Sequence, residues 1–483
     1  MASVVVVGGG LAGLVSATRL RRAGHEVEVL EAEPAVGGRL RVVETEHGPL
    51  EAAVGEIGWG DANLRALVAG LGLEASKAGR IERRHALVLG GRLHRPPPLR
   101  AAEFLFPRLS PRMDRPIDAV FRRPPRWHDR RGVVHALWDS FRQSRPEVPE
   151  SVEALDGVPW SRASVRAFGT RWCTTRLAPV LLARTGVDLS AESASIVTPM
   201  LCRLLAGSGR SISVKGGLSG IVAALAEPLR TRLGCRVEQI EANTDGVRIR
   251  FRSGGREGVV LADAVVVALP PGEILRVCPK LNPSERGHFE SMQARRSIVI
   301  HRQITDDAWL LRGLAGVTFV PGELPDMRDL RILGPASEPY ASDPFWIRIS
   351  LEHESVDAYW QESDQALIHK LDSTFKGSPL GALPEGPSRV ERLEEIISVQ
   401  GRGALDRRSR FLARADRTPR LGFATEALTT PDLEGRVTAG MRAAAELMAD
   451  LPLMLATGAR PGHHRLPNLA PHPTEQSARE VAQ

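Results

Sequence analysis

The chain has 483 residues, 42% of them hydrophobic and 25% charged. This is an ordinary globular mixture, long enough for two domains. A net charge of +7 and an isoelectric point near 9.7 come mainly from arginine; with no RNA- or DNA-binding motif beside it, nucleic acid is not an expected partner. Four widely spaced cysteines, Cys173, Cys202, Cys235 and Cys278, form no CxxC pair. That argues against a zinc site or disulfide framework and suits a reducing compartment. No secretory signal precedes the first strand and no apolar run is long enough for a bilayer, so a cytoplasmic location without a metal centre is expected.

The run Val4-Val5-Val6-Val7 reads as a buried parallel strand. It breaks into Gly8-Gly9-Gly10-Leu11-Ala12-Gly13, a GxGxxG, and an apolar-periodic helix follows through Leu14, Ala17 and Leu20. In such a turn Gly8 permits the sharp bend, Gly10 admits a pyrophosphate to the backbone, and Gly13 lets helix and strand pack closely. The N–H groups at the helix start, with Leu11 and Ala12, then hold phosphate charge. Gly24-His25 ends the helix, and Glu26-Val27-Glu28-Val29-Leu30-Glu31 reads as a second strand. Glu31, with Ala32 beside it, comes roughly twenty residues after the glycines, where an acid meets ribose hydroxyls. An acid there selects FAD or NAD over NADP.

Gly37-Gly38-Arg39 follows, and on these residues the sequence resembles the flavoprotein superfamily of amine oxidases, protoporphyrinogen oxidases and phytoene desaturases. In that superfamily the second glycine pair and the arginine contact the FAD diphosphate. The resemblance continues in order. Val214-Lys215-Gly216-Gly217-Leu218 opens a helix, and Cys235 to Ile240 forms a strand whose Val237 is matched to the residue holding the adenine edge through backbone groups. Ala262 to Pro271 resembles the last strand of the dinucleotide fold. Leu421 to Glu426 and Leu433 to Ala444 resemble the closing motif, in which Glu426 would meet the ribityl chain and the backbone at Leu433 and Glu434 would meet the flavin ring. Three places depart from the pattern. Phe423-Ala424-Thr425 precedes Glu426 where the family has a glycine, Arg436 stands where it has a small residue, and Leu50 to Glu56 is a ragged copy of its Gly-Ala turn beside the flavin.

The resemblance implies an α/β fold: a Rossmann-like FAD-binding domain split in sequence over residues 1–73, 198–271 and 420–451, and an α+β substrate-binding domain over 74–196 and 281–399. It implies non-covalent FAD, because no cysteine follows Cys278. Arg166 to Leu182 resembles a helical segment of the desaturase and protoporphyrinogen oxidase branches. Ser297 to His301 and Phe345 to Ile349 read as strands, and Asp364 to Leu371 as a helix. Residues 458–483, rich in Pro and His, read as a disordered tail.

The resemblance implies an FAD-dependent oxidoreductase that moves a hydride from substrate to flavin N5. The position of the amine-oxidase lysine falls in Arg295-Arg296-Ser297-Ile298-Val299-Ile300, which has none. The two tyrosines, Tyr340 and Tyr359, lie outside the closing motif. This favours dehydrogenation or desaturation of a largely apolar isoprenoid- or tetrapyrrole-like molecule, with O2 or a quinone as electron acceptor, over an amine oxidase. Arg295 and Arg296 are also open to anchoring a substrate carboxylate, although a surface role suits each better. A third reading is a flavin-fold scaffold or partner subunit with little turnover. No catalytic side chain is assigned.

In residues 99–145, arginines alternate with Phe104, Phe106, Phe121, Trp127, Trp138 and Phe141. The composition suits peripheral contact with anionic lipid and equally a solvated basic cap. Flotation with anionic liposomes separates the two: a docking segment carries the protein up with the vesicles at low salt, and a solvated cap leaves it in the unbound fraction.

Overall fold

A computed structural model describes residues 1–46, 48–51, 56–80, 85–95, 150–168, 172–186, 188–207, 209–304, 314–333 and 345–457. The arginine- and aromatic-rich segment 99–145, the tail 458–483 and Tyr340 lie outside these residues.

The first sheet is parallel, with spatial order Arg230–Arg232, Glu26–Leu30, Ser3–Val7, Ala264–Val267, Leu421–Phe423. Its strands come from the beginning, the middle and the end of the chain. Val4 to Val7 and Val265 to Val267 are at most 4% exposed, as expected for strands covered on both faces. The helix Leu11–Arg22, called α1 below, and the C-terminal helix Leu433–Thr457, α2, share an apolar cluster on one face. An antiparallel sheet of Cys235–Ala242, Val247–Ser253 and Arg256–Ala262 shares the cluster on the other face. Phe289, Phe411 and Phe423 pack edge to face or tilted within it.

The second sheet has seven strands in the order Ser388–Val399, Gln293–Ile304, Phe345–Leu351, Met327–Leu333, Gly316–Phe319, His85–Leu89, Arg92–His94. All neighbours are antiparallel except Gly316–Phe319 with His85–Leu89. Ile298, Ile300, Leu330, Ile347 and Ile349 line one face, packed with Leu367, Leu371 and Phe375 of the helix Asp364–Lys376. The strand expected over Ser297 to His301 runs for twelve residues, Gln293–Ile304; the ladder to Ser388–Val399 resumes at Arg295 beyond a bulge at Arg296, and local sequence does not mark either as strand. A third cluster gathers helices Trp160–Phe168, Ala178–Thr185 and Ala194–Ala206. The architecture is a Rossmann-like dinucleotide-binding sheet assembled from distant segments, with a second α+β layer.

Two glycine contacts set the helix packing, and the second brings distant segments of the chain together. A Cβ on Gly13 would lie 2.0 Å from the Gly8 carbonyl oxygen, and one on Gly440 would lie 2.3 Å from the Ala12 carbonyl oxygen. Backbone meets backbone first between turn and helix, then between α1 and α2. Gly13→Val has no flexible neighbour to push aside. The expected loss is about 1–3 kcal/mol of stability, read as a lowered unfolding midpoint together with loss of retained flavin.

Candidate functional site

The glycine turn sits at the carboxyl end of the parallel strands. Gly8 has φ +104°, and a Cβ there would meet the Ala268 carbonyl oxygen at 2.6 Å, so the bend requires glycine. Around the Cβ position of Gly10 nothing lies within 4 Å. That open space, in front of the α1 N-terminus, is the room a diphosphate needs. Leu11 is buried and Ala12 half-buried at the same helix start. Gly37 N–H donates to the Gly9 carbonyl at 2.8 Å, and a Cβ on Gly38 would be 3.4 Å from Gly10 Cα. The two glycine segments therefore lie against each other.

Glu31 closes its strand with a buried carboxylate that accepts Gly9 N–H at 2.6 Å and Glu33 N–H at 2.9 Å. Both oxygens keep lone pairs for ribose hydroxyls. A cleft of about 310 Å3, open to solvent, adjoins it and is lined by Gly8, Glu31, Ala32, Val237 and Leu269 among others. Val237 lies beside a β-bulge, and its carbonyl accepts Arg276 Nη2 at 3.1 Å. Arg276 thus occupies one lone pair of the group expected to read adenine, a contact that sequence reading missed.

At the other end of the site, Glu426 begins a turn capped by Thr425, whose hydroxyl accepts Ala427 N–H at 3.4 Å. The Glu426 carboxylate is 2.6 Å from Arg39 Nη2 and 2.9 Å from Arg436 Nε. Burial alone would raise its pKa, but the two guanidiniums outweigh burial and lower it. Arg436, the residue out of pattern in the sequence, is therefore a direct partner of the acid. Gln400 ties the same turn down by donating Nε2 to the carbonyls of Glu426 and Thr429 at 3.3 and 3.1 Å.

Asp432 caps α2. Its Oδ1 accepts Gly435 N–H at 2.8 Å, and its Oδ2 is 2.6 Å from Arg203 Nη2. The N–H groups of Leu433 and Glu434, in residues 4% and 5% exposed, have no acceptor among the described residues. They suit a ligand carbonyl. The Glu434 side chain turns away from that point and caps the helix Ala62–Gly70 through Asn63 N–H at 3.0 Å and Leu64 N–H at 2.8 Å. Arg203 continues to the fully buried Asp61 at 3.7 Å, and Asp61 also pairs with Arg184. These partners come from segments more than a hundred residues apart, and no local signal marks them. The open cradle at Gly10, the acid at Glu31 and the unpaired N–H groups of α2 together fit an FAD-shaped ligand. Arg295 is bonded to Asp188 at 3.0 Å and only 13% exposed, not on the surface, while the exposed Arg296 pairs with Glu394 at 3.0 Å.

Behind Gln400 lies Glu192, with no exposed surface. One carboxyl oxygen accepts Gln400 N–H at 3.1 Å, and the other has no partner. Burial, with Glu426 adding to it, pushes its pKa from 4.5 up to about 7. As pH rises through that interval the unfolded chain gives up the proton and the folded chain keeps it. Stability from this group is full below the interval, falls across it and is lost above pH 7. Glu192→Gln should abolish that slope and gain up to ~3 kcal/mol above neutrality. Parallel unfolding-midpoint curves for wild type and variant against pH would sink the assignment.

Residues 11–350 match the family model for flavin containing amine oxidoreductase. The chain is 28% identical over 297 residues to hydroxysqualene dehydroxylase of Rhodopseudomonas palustris, covering 58% of this chain and 64% of that protein. It is 27% identical over 310 residues to coproporphyrinogen III oxidase of Mycobacterium tuberculosis, covering 62% and 65%. The chain thus spans just under two thirds of the length of these relatives. A solved putrescine oxidase variant superposes with a TM-score of 0.68 at 17% identity over 93% of this chain and 99% of that one. Flavin is the cofactor that goes with this family and with the site's geometry, and the chain belongs to the flavin containing amine oxidoreductase family.

Proposed function

We propose that the chain is an FAD-dependent oxidoreductase that dehydrogenates or desaturates a largely apolar small molecule of isoprenoid or tetrapyrrole type. The observation that carries this reading is the junction of Arg39, Glu426 and Arg436. It joins the segment after the ribose acid to the closing motif at one point, in line with the open cradle at Gly10. FAD, when bound, supplies a hydride acceptor at N5. The glycine turn Gly8 to Gly13, with Gly37, Gly38 and Arg39, would hold the diphosphate. Glu31 and Ala32 would hold the ribose, Val237 the adenine edge, Glu426 the ribityl chain, and the N–H groups of Leu433 and Glu434 the electron-accepting end of the ring, where negative charge is best stabilised.

The divided sheet supports residues 1–73, 198–271 and 420–451 as the FAD unit, with 74–196 and 281–399 as the substrate unit. The substrate class is supported by the lysine-free strand Gln293–Ile304. It is also supported by Tyr359, whose hydroxyl is committed to Asp326 at 3.1 Å in the second layer rather than to an aromatic cage. The names of two relatives, a hydroxysqualene dehydroxylase and a coproporphyrinogen oxidase, point the same way. Among the described residues no helix is long and apolar enough to cross a membrane. A cytoplasmic enzyme with O2 or a quinone as acceptor, and peripheral lipid contact through 99–145, completes the reading.

Anaerobic mixing of the flavin-loaded protein with carotenoid precursors, porphyrinogens and amines tests it. Bleaching of the flavin absorbance by one of the first two classes is the expected result. Bleaching by amines alone would transfer the chain to the amine-oxidising class. Colourless protein that FAD cannot reconstitute would leave only a scaffold.

A further inference from the structure

The face of the seven-stranded sheet opposite the helix Asp364–Lys376 gathers three buried arginines around a single bonded carboxylate among the described residues. One cross-strand row sets Arg389 opposite His301, His301 opposite Arg348, Arg348 opposite Arg331, Arg331 opposite Gly316, and Gly316 opposite His85. Strand alternation keeps this row off the face that carries Ile298, Ile300, Leu330, Ile347 and Ile349. Arg348 is 3% exposed, Arg331 4% and His301 1%. Arg328 joins them from a β-bulge between Met327 and Asp329.

Among the described residues, Asp329 is the only carboxylate bonded to these arginines. It accepts Arg331 Nε at 2.8 Å and Arg328 Nε at 3.1 Å. Among the described residues, each of the three guanidiniums keeps a buried nitrogen with no hydrogen-bond partner: Arg328 Nη2, Arg331 Nη2 and Arg348 Nη1. Leaving a buried cation uncompensated costs several kcal/mol, so the cluster is incomplete without an anion. Both ring nitrogens of His301 are also unpartnered. Burial first, and then Arg348, Arg389 and Arg41, push its pKa down to about 3.

The outer strands of the row are tied to segments of the candidate FAD site. Arg331 Nη1 donates to His85 Nδ1 at 3.0 Å. An arginine can only donate, so the His85 proton is on Nε2 and goes to Glu56 at 3.0 Å. Glu56 belongs to the stretch that resembles the turn beside the flavin. On the other side, Glu391, two residues beyond Arg389 on the same strand, pairs with Arg41, two residues after Arg39.

We infer that Arg331 and Arg348, assisted by Arg328, form an oxyanion pocket for a carboxylate or phosphate group on the substrate, so that the substrate is an apolar molecule with an acidic end. This rests on the reading above that the chain is an FAD oxidoreductase with 281–399 in its substrate unit. A protonated amine would meet three guanidiniums there, which disfavours it.

Calorimetric titration of the flavin-loaded protein with decanoate, decyl phosphate, decanol and decylamine tests the inference. One of the anions should bind about tenfold or more tightly than decanol, and the tighter anion identifies the acidic group. Arg331→Gln and Arg348→Gln should each remove that preference while leaving decanol affinity in place. Asp329→Asn, which frees more guanidinium donors, should strengthen anion binding. Bound anion should also raise the His301 pKa in imidazole nitrogen NMR. Equal binding of decanol and both anions by the wild-type protein overturns the inference without any variant, as does a preference retained by both Gln variants. Flavin content is read separately in the visible spectrum. Absence of flavin or of turnover with the anion preference intact would instead overturn the oxidoreductase reading.

Discussion

The rest of the structure depends on close backbone approach at Gly13. With no side chain between them, α1 sits against the Gly8 carbonyl, and its N-terminus faces the open space at Gly10. The same device recurs where Gly440 lets α2 lie on α1 at Ala12. Residues more than four hundred positions apart are thereby held in one rigid block, and the two helix N-termini, one suited to phosphate and one to a flavin carbonyl, share it. A side chain at either contact would separate the two halves of the site.

Buried charge does the finer positioning. Glu426 is held ionised between Arg39 and Arg436, and Asp432 and Asp61 are held by Arg203 and Arg184. Such groups add little net stability, because desolvation offsets much of the attraction. They do make each alternative placement costly, since moving one partner leaves the other buried and unpaired. The clamps His85 to Glu56 and Arg41 to Glu391 attach the second sheet to the cofactor-side segments by the same logic. Backbone donors stand on the cofactor side, and among the described residues the arginines of the second sheet share one bonded carboxylate, Asp329.

The legible parts of the sequence were those where local geometry restricts residue choice. A β-branched run, a glycine bend and an acid at a strand end marked the nucleotide half from Val4 to Glu31, and glycines marked the later returns at Gly37 and Gly217. What could not be read was the pairing of charges. Arg436 stood out in the sequence as a departure, and only its distance to Glu426 turned it into a partner. Arg295 and Arg296 were the arginines singled out for a carboxylate, yet their pairing with Asp188 and Glu394 occupies both. Arg331 and Arg348, which drew no attention, each keep a buried nitrogen without a hydrogen-bond partner among the described residues, as several other arginines do.

By itself the sequence determined the cofactor class and the first strands around it, because phosphate approach, positive φ and helix–strand contact each leave a mark on a few adjacent residues. Tertiary structure alone decided which arginine meets which acid, that α2 is capped by Asp432, and that one face of the second sheet gathers three buried arginines around Asp329. Those facts depend on the register between strands distant in sequence, where a shift of one residue would move every side chain to the opposite face.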